Sequence, residues 1–127
     1  MSRENIEVVR GLYEAFNRRD LPAMLAIADP EIELRTTVEV HHGHAGVTEW
    51  IDRTRDAWEA FTIEPVEIDA EGDEVIVAVR ERARGRATGI ELDERFGHVW
   101  TIRDGKATRL RAFSRIDAAR EAVRERA

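Results

Sequence analysis

Tyr13-Glu14-Ala15-Phe16-Asn17-Arg18-Arg19-Asp20-Leu21-Pro22 closes one amphipathic helix and opens another. Upstream, Ile6, Val9, Tyr13 and Phe16 recur at helical spacing and form one apolar stripe. Glu4 and Glu7 fall in the early turns, where negative charge complements the helix dipole, and Ser2 stands where an N-cap belongs. Downstream, Asp20 is placed to cap a short second helix. Pro22 is tolerated in its first turn because the missing N–H would have had no helical partner. Met24, Leu25 and Ile27 supply the apolar side of that helix. Asp29-Pro30 ends it, since a residue before proline is biased towards extended backbone.

Residues 31–37 then alternate Ile32 and Leu34 with charged neighbours and read as a first strand. His41-His-Gly-His-Ala-Gly46 reads as a loop. Over 47–60, Val47, Trp50, Ile51, Thr54 and Trp58 share one helical face, opposite Glu49, Asp52, Arg53, Asp56 and Glu59, so a third helix lies against the sheet. Pro65 precedes or edges a short strand at 66–68, and Glu71-Gly72-Asp73 is a turn. Long strands follow at 75–87 and 90–103, and Asp104-Gly105 turns into a last strand at 106–115. A short C-terminal helix covers about 117–126, with Val123 as its sizeable apolar residue. The order predicts an α+β domain: a curved, mixed but mainly antiparallel sheet with three N-terminal helices gathered on one face.

The 127 residues, 43% of them hydrophobic, suit one domain with a real core. The absence of cysteine excludes disulfides, thiolate metal sites and cysteine nucleophiles. Twenty basic and 26 acidic residues, mixed along the chain for a net charge of −6, argue against a nucleic-acid partner. No apolar run approaches membrane-spanning length, and the first residues lack the apolar core of a signal peptide, so a cytoplasmic protein without a membrane partner is expected.

Four motifs, Leu12-Tyr-Glu-Ala-Phe-Asn-Arg-Arg-Asp20, His42-Gly-His-Ala-Gly-Val47, Gly85-Arg-Ala-Thr-Gly89 and His98-Val-Trp-Thr-Ile-Arg-Asp-Gly-Lys106, come in an order and spacing that resembles the nuclear transport factor 2-like superfamily, in the SnoaL-like branch related to ketosteroid isomerases. The resemblance implies a cone whose sheet wraps a pocket closed by the helices on its concave face, usually in a homodimer. The aromatic residues Tyr13, Phe16, Trp50, Trp58, Phe96 and Trp100 suit either the core or an apolar small-molecule ligand in that pocket. In ketosteroid isomerase an aspartate base shuttles a proton while a tyrosine and a protonated aspartic acid stabilise the oxyanion. Carried over by the motifs, the tyrosine falls at Leu12, one residue and about 100° of helix from Tyr13. The base falls at Arg35 or Thr36, neither a carboxylate, and the oxyanion-binding acid corresponds to His98.

His98 shares a strand face with Phe96, Trp100 and Ile102 by the two-residue period. Among apolar rings it would stay neutral, either as a hydrogen-bond donor or general acid–base, or as a satisfied structural histidine. Glu81 follows Val75, Val77 and Val79 on one face of its strand and is either a carboxylate facing the pocket or a charge at its rim. Tyr13 is an auxiliary donor. Trp58, Phe96, Trp100 and, at the displaced base position, Arg35 are the candidate ligand-binding residues. The opposite face of the same strand alternates Arg80, Arg82, Arg84 and Arg86, which suits a solvated face or a dimer interface with carboxylate partners. His41, His42 and His44 fit no strong zinc signature, and neither glycine-rich segment has a phosphate-loop or dinucleotide pattern, so no metal and no cofactor is expected. The sequence thus leaves two functions: a cofactor-independent isomerase, dehydratase or cyclase working by proton transfer, or a non-catalytic ligand-binding or dimerisation module.

Overall fold

The computed structural model describes residues 2–126, with the side chains of residues 3–125. The cap expected from Ser2 lies outside the described side chains. In chain order the elements are α1 (Ser2–Asn17), α2 (Leu21–Ile27), β1 (Ala28–Arg35), β2 (Val40–His42), α3 (Gly43–Ala57), β3 (Trp58–Glu71), β4 (Glu74–Gly85), β5 (Glu91–Arg103), β6 (Lys106–Phe113) and α4 (Ile116–Arg126). Asp20 caps α2 as expected, its carboxylate accepting from the Ala23 N–H at 3.1 Å. None of the described helices is long and apolar enough to cross a membrane.

The strands make one mixed sheet in the order β2-β1-β6-β5-β4-β3. Only β1 and β6 run parallel; the remaining neighbours are antiparallel. Val9, Leu12, Tyr13 and Phe16 of α1 and Val47 and Ile51 of α3 pack on Val75, Val77, Val79, Trp100, Ile102 and Leu110 of the sheet. The other face carries a smaller core, in which Ala119 and Val123 of α4 meet Ile76 and Val99. Gly97 permits this close approach: a Cβ there would stand 2.9 Å from Ala119 Cβ, Arg115 O and Ile116 Cα. Gly97→Ala is therefore expected to push α4 off β5 and lower stability by about 1–3 kcal/mol, the usual range for overpacking. A thermal melt reads this directly, and an unchanged midpoint would show that α4 contributes little.

Three expected elements are corrected: the third helix, the short strand at 66–68 and the loop at 41–46. The third helix does not run to residue 60: it ends at Ala57, and Trp58 is extended (φ −126°, ψ 130°) at the start of a 14-residue strand. Trp58 continues the helical spacing of Trp50 and Thr54, but residues from Trp58 to Glu71 find pairing partners along β4, and tertiary pairing overrides the local period. Pro65 sits inside this strand because β3 is a sheet edge, where a missing N–H costs no ladder bond, and the register shifts between Pro65 and Glu67. Arg86 fixes the helix-to-strand break. Its guanidinium donates to Arg55 O at 2.8 and 3.2 Å and to Trp58 O at 3.2 Å, so it tends the carboxyl end of α3 instead of extending the arginine row of β4. The segment expected as a loop at 41–46 is likewise divided between β2 and α3, with Gly43 at φ 70° making the turn.

Candidate functional site

β4 and β5 pair without a bulge from Glu74↔Thr101 to Arg84↔Glu91, which opposes Val75 to Trp100, Val77 to His98, Val79 to Phe96 and Glu81 to Glu94. Directly paired residues share a face, so His98, Phe96 and Glu81 lie on the side covered by α1 and α3. A cavity of about 270 Å³ opens there. Phe96, Trp50, Trp58, Phe61 and Ile63 are among its apolar walls, His98 and Glu81 border it as titratable groups, and the rest of its boundary includes the ion-paired Glu39 and Arg53. This volume lies near the lower end for small-molecule sites. A groove of about 470 Å³ at β3–β5 is larger, but its Arg84 and Glu91 pair with each other at 3.0 Å, and its Asp93 pairs with Arg80.

His98 is 4% exposed. Its Nδ1 lies 2.8 Å from Tyr13 Oη, and the Trp100 indole N–H donates to that same oxygen at 2.8 Å. The Tyr13 ring stacks on His98 at 15° and meets Trp100 edge-on at 85°, with both centroid distances 5.9 Å. Burial pushes the imidazole down to about 4, so it is neutral at pH 7. Burial also raises the Tyr13 phenol well above its ordinary range, against the lowering effect of the Trp100 hydrogen bond. Tyr13 owes its position to α1, whose end is fastened to β3 by Asn17. The Asn17 side chain donates to Ile63 O at 2.8 Å and accepts from Ile63 N–H at 2.9 Å.

Glu81 stands four residues along β4 from the partner of His98, roughly 13 Å of strand. Among the described residues its carboxylate has no hydrogen-bond or ion-pair partner, and no bond joins it to His98. Burial first, and then the like charge of Glu94 across the strand pair, push it up to about 7. A carboxyl that changes protonation near neutrality and a neutral imidazole therefore border one partly apolar cavity.

The remaining expected site residues divide clearly. Trp58 and Phe96 line the cavity. Tyr13 and Trp100 sit behind His98, outside that lining. Arg35 is turned away: Ile32 and Leu34 of β1 are buried, so the two-residue period carries Glu33 and Arg35 outward, where they pair at 3.6 Å. Trp50 belonged to the apolar helix face read from sequence, whereas Phe61 was hidden by the misassigned strand.

The turn between β1 and β2 borders the cavity and is strongly braced. Thr36 N–H donates to Glu39 O at 2.8 Å, and Glu39 N–H donates to Thr36 Oγ1 at 2.9 Å. Arg53 donates to Glu39 at 2.6 Å, and His41 Nδ1 lies 2.8 Å from Glu49. His41 Nε2 approaches Glu39 to 2.7 Å without hydrogen-bond alignment. His44 Nε2 donates instead to Ala28 O at 2.9 Å. Glu39→Ala should free Arg53 and quicken amide hydrogen exchange at 36–39; exchange at the parent rate would mean that the backbone bonds and the Thr36 hydroxyl hold the turn without the Glu39 carboxylate.

The sequence pattern of the SnoaL-like domain is matched by residues 9–110, from α1 to β6. The chain belongs to the SnoaL-like domain family. No curated protein matches it. Among solved structures, this SnoaL-like chain is similar to TerC co-crystallised with polyporic acid, at 28% identity and a TM-score of 0.80, covering 93% of this chain and 96% of TerC. It is also similar to an NTF2-like protein of unknown function from Burkholderia pseudomallei, at 25% identity and a TM-score of 0.81, covering 93% and 95% of the two chains. In this SnoaL-like domain the matched segment includes Tyr13, Glu81, His98 and Trp100.

Proposed function

We propose that this protein is a cofactor-independent proton-transfer enzyme, an isomerase, dehydratase or cyclase, acting on an apolar carbonyl or hydroxyl compound held in the cavity. The observation that carries the reading is that Glu81 and His98, poised about 7 and 4, border the same cavity, whose walls are largely aromatic. Glu81 as carboxylate takes a proton from the carbon beside a carbonyl, and the electron pair moves to the carbonyl oxygen. His98 is the hydrogen-bond partner of that oxygen. Glu81 then returns its proton to carbon or oxygen, which completes the rearrangement without an external acid. A carboxyl titrating near the working pH is suited to both halves of this shuttle. Trp58, Phe96, Trp50 and Phe61 hold the apolar body of the ligand.

TerC, 28% identical and crystallised with polyporic acid, supports an organic small molecule as the occupant. The same reading takes residues 1–127 as one domain, the sheet as the cone expected from the resemblance, and the working form as a cytoplasmic homodimer. Incubating apolar ketones with the protein in D₂O and following deuterium uptake by mass spectrometry tests the proposal. Uptake beside the carbonyl that disappears in Glu81→Gln is the expected result. Ligands that bind and raise the melting temperature without exchange would favour a binding module, a reading that gains weight from the non-acidic residues at the family's base position.

A further inference from the structure

The hydrogen-bond chain behind His98 fixes what that residue can do. An indole N–H only donates, so the Trp100 bond occupies Tyr13 Oη as an acceptor. The phenol has one proton left to place, and the His98 Nδ1 at 2.8 Å is the acceptor within reach. A proton on Nδ1 would aim two donors at one oxygen and leave the buried phenol proton with no acceptor. Nδ1 is therefore the bare nitrogen, and in a neutral ring the proton sits on Nε2. Among the described residues Nε2 has no protein partner, and His98 borders the cavity while its other nitrogen is turned to Tyr13.

We infer that Trp100, acting through Tyr13, is a positioning residue that sets the tautomer of His98, so that the cavity meets an Nε2–H donor and selects ligands placing an acceptor oxygen there. A carbonyl, enolate or carboxylate oxygen satisfies that donor. A ligand offering only a donor at this point is rejected, because two N–H or O–H groups would face each other. His98 in this state donates a hydrogen bond and takes no proton from the ligand, so the base is Glu81. The catalytic consequence rests on the function proposed above, but the tautomer itself does not.

Long-range ¹H–¹⁵N correlation spectra of the ligand-free, ¹⁵N-labelled protein at pH 7 read the tautomer without any substrate. The expected result is a single form, with His98 Nδ1 bare and Nε2 protonated. Replacing Trp100 by benzothienylalanine keeps the ring shape and removes only the N–H, and it should convert this signature into a mixture of tautomers. Trp100→Phe should do the same and provides a second route to the result. A protonated Nδ1 in the parent overturns the inference, as does a variant that retains the parent tautomer in full. A correct tautomer in a protein that exchanges no ketone hydrogen would sink the enzyme reading and leave the relay standing.

Discussion

Glu81→Gln is expected to raise the melting temperature at pH 8 by roughly 5–10 °C while abolishing deuterium uptake by the ligand. The carboxyl sits at about 7 in the folded protein against an ordinary 4.5. Between those values the folded state holds a proton that the unfolded state has lost. Stability from this group is therefore present at low pH and declines as pH rises through the window, with the full penalty above 7. With partial exposure allowed for, the penalty is about 2 kcal/mol. Glutamine keeps the size and removes the charge that Glu94 opposes. A variant no more stable than the parent at pH 8 would mean that the carboxylate is well solvated, and the proton shuttle would lose its physical basis.

Acid should act through His98 in the opposite sense. Its folded value of about 4 lies below the ordinary 6.5, so the unfolded state binds the proton first. Stability is complete above about 6.5 and is lost as pH falls towards 4, by about 2–3 kcal/mol for this group alone. Glu81 gains stability over much of the same range, which masks the effect in the parent. The comparison is therefore between Glu81→Gln and the Glu81→Gln/His98→Gln double variant, whose added amide oxygen can still accept from Tyr13. The single variant should lose several degrees more than the double variant between pH 6.5 and 4. Parallel curves would show that His98 is not held neutral by burial.

The faces of β4 and β5 were legible because their pairing runs unbroken, so the two-residue period carried Glu81, Phe96 and His98 to the correct side. The helix pair around Asp20 was legible for a similar local reason: a capping carboxylate, a tolerated proline and an apolar stripe agree. β3 was not, because Trp58 prolongs a helical spacing and Pro65 argues against a strand unless the strand is known to be an edge. The alternation of β1 turns Arg35 outward, whereas Thr36, the other residue read at that family position, borders the cavity. The bond between Tyr13 and His98 spans 85 positions in the chain and depends on how α1 crosses the sheet, a relation no local period contains. Gly97 gave no sign of its purpose until α4 was seen lying against it.

Glu81 and His98 face one cavity with their protonation preferences displaced towards each other's ordinary range. A carbon-detected NMR titration of the parent protein, following the Glu81 carboxyl and the His98 ring in one pH series, reads both displacements at once. Midpoints near 7 for Glu81 and near 4 for His98 are the predicted result. Midpoints near the ordinary 4.5 and 6.5 would place both groups in water and contradict the account.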